Sequence, residues 1–122
     1  MMNKKILILD DDAYLLETLS ILLMDSGYEI RALSNGKNIF DTIYEFHPDL
    51  VLMDIMLGDM DGRLICSRVK QQSDTKNLPV ILMTGVAGLA NSLYLPGAPD
   101  DFLPKPFELD FLLERIDNQL SN

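Results

Sequence analysis

Six side chains in this sequence could do chemistry together. Asp10, Asp11 and Asp12 stand in a row directly after the apolar run "ILIL". A fourth aspartate, Asp54, follows "DLVLM". Thr84 follows "PVILM", and Lys105 follows "DFLP". Carboxylates gathered in one place repel, and their pKa values rise unless positive charge offsets them. A hard divalent cation such as Mg²⁺ does this, because it prefers carboxylate and carbonyl oxygens. A lysine adds a fixed positive point charge. Together they meet the demands of phosphoryl transfer, which are positioning and charge neutralisation. A carboxylate can itself be the nucleophile and form an acyl phosphate.

For these groups to meet, the segments before them must lie side by side. Residues 5–9 and 49–53 read as buried strands, and 28–33 alternates like a strand nearer an edge. Residues 78–83 read as another buried strand, and 101–107 holds a very short one before a proline. Helical spacing covers 13–27, 37–47, 63–72 and 108–120, with Gly27 as a C-terminal stop. Residues 58–62 read as a loop. Such alternation predicts a five-stranded parallel sheet with right-handed crossovers and helices on both faces. Ligands then bind outside the carboxyl ends of the strands, near the switch in strand order. All six side chains fall on that rim.

Length and composition narrow the classes. A chain of 122 residues is expected to be a single domain, residues 1–122, large enough for one real core. The balance of 10 basic and 19 acidic residues gives −9, which argues against direct nucleic-acid binding or an anionic membrane surface. No apolar run approaches a membrane span, and the four-residue run before Asp10 is too short for a signal peptide. The single cysteine, Cys66, permits no internal disulfide. A cytoplasmic protein is expected.

The stretches "ILILDDD", "PDLVLMDIMLGDMDG", "PVILMTG" and "DDFLPKPF" resemble the receiver (response-regulator) domain of bacterial two-component signalling. They occur in family order and cover essentially the whole chain. The resemblance implies a flavodoxin-like, doubly wound sheet of order 2-1-3-4-5. It implies that Asp54 is the phosphoacceptor, Asp11 a direct Mg²⁺ ligand, and Asp10 a ligand acting mostly through water. The Met56 carbonyl completes the protein's metal ligands. Thr84 binds a phosphoryl oxygen and moves towards it on activation, while Lys105 contacts the phosphoryl group before a cis Lys105–Pro106 bond. Phe102 is the aromatic switch residue. A histidine kinase, a phosphotransfer protein or a small acyl phosphate is the implied donor. With no effector domain in these residues, a downstream protein is the expected target of a monomer or weak homodimer. The chain is not expected to be an enzyme beyond self-catalysed phosphoryl transfer and dephosphorylation.

Plainer roles compete at several positions. Asp12 reads as the N-cap of the first helix rather than a ligand. Asp59 and Asp61 serve the loop and the next helix start. His47 reads as a surface residue, Cys66 as buried and inert, and Phe102 could be ordinary core. Two other functions remain in view. One is a pseudo-receiver that only binds partners. The other is a Mg²⁺-dependent phosphohydrolase, disfavoured because Met56 stands where a second carboxylate is usual.

The sequence departs from the family at three places. Gly58 replaces a usual proline, which predicts a more mobile loop. Gly85 replaces a usual Ala or Ser. Pro99 interrupts the stretch before strand five, so the fourth helix within 85–99 is expected to be short or irregular, with fast amide exchange over 86–99.

Overall fold

The computed structural model describes residues 3–85 and 97–121. Seven strands and four helices occur among them, in the order β1 (Lys5–Leu9), α1 (Ala13–Asp25), β2 (Glu29–Leu33), α2 (Ile39–Phe46), β3 (Leu50–Asp54), β4 (Met56–Leu57), β5 (Met60–Asp61), α3 (Gly62–Gln71), β6 (Val80–Thr84), β7 (Asp101–Pro104) and α4 (Leu109–Leu120). Five of the strands form one sheet in the order β2-β1-β3-β6-β7, all parallel. Counted along the chain, this is the expected 2-1-3-4-5. The fourth helix expected within 85–99 falls almost wholly outside the described residues.

Period-two alternation along the buried strands divides the core. Leu7, Leu9, Val51, Met53, Val80 and Leu82 face Ile39, Ile43, Ile65 and Val69 of α2 and α3. Ile6, Ile8, Leu50, Leu52, Ile81 and Met83 face Leu19, Leu23, Leu112 and Ile116 of α1 and α4. A strand buried on both faces has no polar side to show, which is why "ILIL" and "VLM" read as continuous apolar runs. β2, at the edge, has no fully buried residue.

Local chemistry sets the boundaries. The Asp12 carboxylate accepts from the N–H groups of Tyr14 and Leu15, making it the N-cap of α1. Asp61 caps α3 by accepting from the Arg63 N–H. His47, exposed, ends α2 at a φ of 55°. Gly27, at a φ of 101°, lies two residues beyond α1, which stops at Asp25. The stretch 58–62 is more ordered than a plain loop. Met56 pairs with Asp61 and Leu57 with Met60 in a small antiparallel hairpin. Gly58 turns it at a φ of 64°, a conformation closed to proline. Gly58 therefore supplies a specific bend where the sequence suggests only slackness.

Candidate functional site

Register builds the site. Leu9 pairs with Met53, so Asp10 emerges beside Asp54 at the end of the two central strands. Asp54 pairs with Met83, placing Thr84 one step beyond it. Thr84 pairs with Pro104, and the Lys105 N–H donates to the Thr84 carbonyl at 2.7 Å. Four strand ends thus converge on one rim.

The charges meet directly. Lys105 Nζ donates to Asp10 Oδ2 at 2.8 Å and to Asp54 Oδ2 at 3.1 Å. Asp10 is fully buried, and its Oδ1 accepts from the Asp12 N–H at 2.9 Å. Asp54 and Thr84 are buried too, whereas Asp11 is exposed. Carboxylate oxygens of Asp10, Asp11 and Asp54 lie within 4.8 Å of one another. This all-oxygen, strongly anionic donor set suits a hard cation such as Mg²⁺. Met56 leads out of the site into β4, with an exposed side chain and an N–H 3.4 Å from Asp54 Oδ1. Phe102 is half-buried and packs against the α2–α3 side of the core. The Lys105–Pro106 bond is cis.

Burial raises the pKa of Asp54 above the usual carboxylate value; Lys105 opposes the shift and Asp10 reinforces it. Burial alone would pull the Lys105 ammonium down, but its hydrogen bonds to Asp10 and Asp54 prevail and its pKa is raised. One lysine therefore bridges two of the three clustered carboxylates, leaving an excess of negative charge that further positive charge would offset.

Three backbone features were not singled out from sequence. The Gly58 N–H donates to Asp11 Oδ2 at 3.0 Å. The Gly62 N–H donates to the Ile55 carbonyl at 2.6 Å. A Cβ on Gly62 would lie 2.3 Å from the Asp54 carbonyl oxygen, so only glycine lets α3 begin this close to Asp54. The available signal was the pair of glycines bracketing "DMD". Away from the site, Cys66 is buried, which pushes its thiol pKa up to about 12.

Residues 6–117 match the response regulator receiver domain family. The chain is 33% identical over 116 residues to the DNA-binding response regulator MtrA of Mycobacterium tuberculosis, covering 94% of this chain and 50% of that protein. It is 30% identical over 113 residues to the DNA-binding dual master transcriptional regulator RpaA of Synechocystis, covering 92% and 47%. The chain thus spans about half the length of these curated relatives. Among solved structures, a putative response regulator from Chloroflexus aurantiacus superposes with a TM-score of 0.89 at 33% identity, covering 99% of this chain and 100% of that one. Response regulator TrrA of Thermotoga maritima, solved with Mg²⁺ and BeF, gives 0.85 at 28% identity, covering 96% and 99%. No helix among the described residues is long and apolar enough to cross a membrane. Fold, rim and relatives agree: this chain belongs to the receiver domain family of two-component response regulators, a family of phosphorylation-dependent signalling switches rather than conventional enzymes.

Proposed function

We propose that Asp54 is the phosphoacceptor of this receiver and that Lys105, Thr84, Asp10, Asp11 and the Met56 carbonyl serve it. The observation that carries this reading is the Lys105 ammonium lying between the buried carboxylates of Asp10 and Asp54, with Asp11 alongside. An Asp54 carboxylate oxygen attacks phosphorus. A P–O bond forms, and the bond to the donor breaks, P–N in a phosphohistidine or P–O in an acyl phosphate. The electron pair leaves with the donor. When bound, Mg²⁺ supplies charge neutralisation for the incoming phosphoryl oxygens, and Asp10, Asp11, Asp54 and the Met56 carbonyl would hold it. Lys105 then turns from a carboxylate bridge into a partner of the phosphoryl group. Thr84 gains a charged acceptor on the same rim. Water later cleaves the acyl phosphate and returns Asp54.

The new charge-assisted hydrogen bonds supply the switching energy. Moving a two-state equilibrium from 1:99 to 99:1 needs about 5.5 kcal/mol, within reach of two or three such bonds. Phe102, packed below this rim, is a candidate relay to the surface. The donor is a histidine kinase or its phosphotransfer protein, acting in the cytoplasm. The −9 balance gives these residues a poor footprint for DNA, which favours output through a protein contact or through further domains such as those of the longer relatives. The convergence of Asp10 and Asp54 on Lys105, with Asp11 alongside, favours a working acceptor over a pseudo-receiver.

The test is intact mass after incubation with Mg²⁺ and acetyl phosphate. Wild type gains one phosphoryl group; Asp54→Asn and the Mg²⁺-free sample gain none. Equal uptake by Asp54→Asn would overturn the assignment.

A further inference from the structure

The β4–β5 hairpin touches the acidic rim through its backbone. Its turn residue, Gly58, points its N–H at Asp11 Oδ2, 3.0 Å away. The hairpin is itself anchored. Its Gly62 end packs against the Asp54 carbonyl, and the Ile55 N–H at its other end donates to the Met83 carbonyl at 2.9 Å. Gly58 is therefore fixed relative to the strand ends and not to Asp11's own segment.

Asp11 needs such an anchor more than its neighbours do. Asp10 and Asp54 are buried and held by Lys105. Asp11 is exposed, and an exposed carboxylate must give up side-chain freedom when it takes a cation. A donor that holds it in place beforehand lowers that cost. A carboxylate has lone pairs enough to accept an N–H and still face a metal.

We infer that the Gly58 N–H is a positioning group for Asp11, orienting its carboxylate towards Asp10 and Asp54 for Mg²⁺. The inference rests on the metal reading proposed above. Glycine serves here for two reasons. The φ of 64° is unfavourable for most side chains and closed to proline, and proline has no N–H to give. A receiver with proline at this position must orient the equivalent carboxylate by another contact.

The test removes the N–H alone, by replacing the Leu57–Gly58 amide with an ester, and measures Mg²⁺ affinity by calorimetry. Outer-shell partners are worth about 10- to 100-fold in metal affinity, and this exposed one belongs at the lower end, about tenfold. The metal-free melting temperature reports any purely structural role. Gly58→Asn keeps the N–H and tolerates positive φ, so its Mg²⁺ affinity stays within about twofold of wild type. Should the ester protein not fold, the Gly58 amide proton resonance decides. It shifts in Asp11→Ala and stays in place in Asp12→Ala. Mg²⁺ affinity unchanged by the ester, or a Gly58 resonance indifferent to Asp11→Ala, overturns the inference and leaves the phosphoacceptor reading standing. No Mg²⁺ binding by wild type would overturn both.

Discussion

The two ends of the sheet use the same residue types to opposite purposes. At the amino ends of the strands, each aspartate closes a local contact. Asp49 Oδ2 accepts from the Lys5 N–H at 2.8 Å. Asp100 accepts from the Val80 N–H at 2.8 Å and pairs with Lys70, which also donates to the Leu78 carbonyl at 2.7 Å. There the charge of Asp100 is matched by Lys70, and both carboxylates satisfy a backbone N–H. At the carboxyl ends, Lys105 bridges Asp10 and Asp54, while the nearby Asp11 accepts a backbone N–H from Gly58 and makes no ion pair among the described residues. The first end is complete as it stands. The second carries unmatched negative charge, so its electrostatics improve when a cation arrives. A matched lysine–aspartate pair and an acidic excess thus lie at opposite edges of one sheet.

Removing a lysine from each end should separate them. Lys105→Ala leaves the fully buried Asp10 beside Asp54 with no cation, and we expect a loss of about 3 kcal/mol without metal. With Lys105 gone, Mg²⁺ should bind the uncompensated carboxylates more tightly than in wild type. At one fixed Mg²⁺ concentration the variant should then gain more stability than wild type, and part of its deficit should close, by about 1.4 kcal/mol for each tenfold difference in Kd. Lys70→Ala should cost about 1–3 kcal/mol by stranding Asp100 and the Leu78 carbonyl, and no more of that loss should return with Mg²⁺ than the increment wild type gains. Chemical denaturation with and without Mg²⁺ checks both. Equal metal sensitivity of the two deficits would break the contrast.

A smaller effect should come from Asp54 itself. Its pKa is raised in the native state, chiefly by burial, so the folded protein holds this proton to higher pH than the unfolded chain does. Stability then falls as pH rises from the ordinary carboxylate value through the raised native one. Asp54→Asn should therefore be more stable than wild type at pH 7 without metal, with the gain shrinking as pH falls through that window. A variant less stable than wild type at pH 7 would show that the carboxylate is not under electrostatic strain. The smallest effect concerns Cys66, remote from this contrast. With its thiol pushed up to about 12 and buried, it should stay unreactive to thiol reagents at pH 8 until the protein unfolds.

Much of the rim was legible in the sequence because each member follows its own apolar strand. Once the alternation of strands and helices implied a parallel sheet, Asp10, Asp54, Thr84 and Lys105 had to share an edge. The caps at Asp12 and Asp61 were legible too, since an acidic residue before a helical run has a local reason to be there. Less legible was the hairpin at 56–61. Its strands have two residues each, too few for a period-two pattern to emerge. Gly58 read as slack for a related reason. Glycine types announce conformational freedom, and only the fold shows which conformation is used.

The sequence by itself determined the strand order's raw material, the acidic excess and the residues available for phosphoryl chemistry. Those are set by local periodicity and residue type. Only the tertiary structure decided which charges are matched. Lys70 stands near the end of α3 and Lys105 directly after β7, and neither position by itself names the carboxylate it meets. One is closed onto Asp100 at the amino edge, and the other bridges Asp10 and Asp54 across 95 and 51 residues. Likewise, an N–H given by Gly58 to Asp11, 47 residues away, has no signature in either segment. Such contacts depend on register and on the packing of separate strand ends, which no stretch of the chain encodes alone.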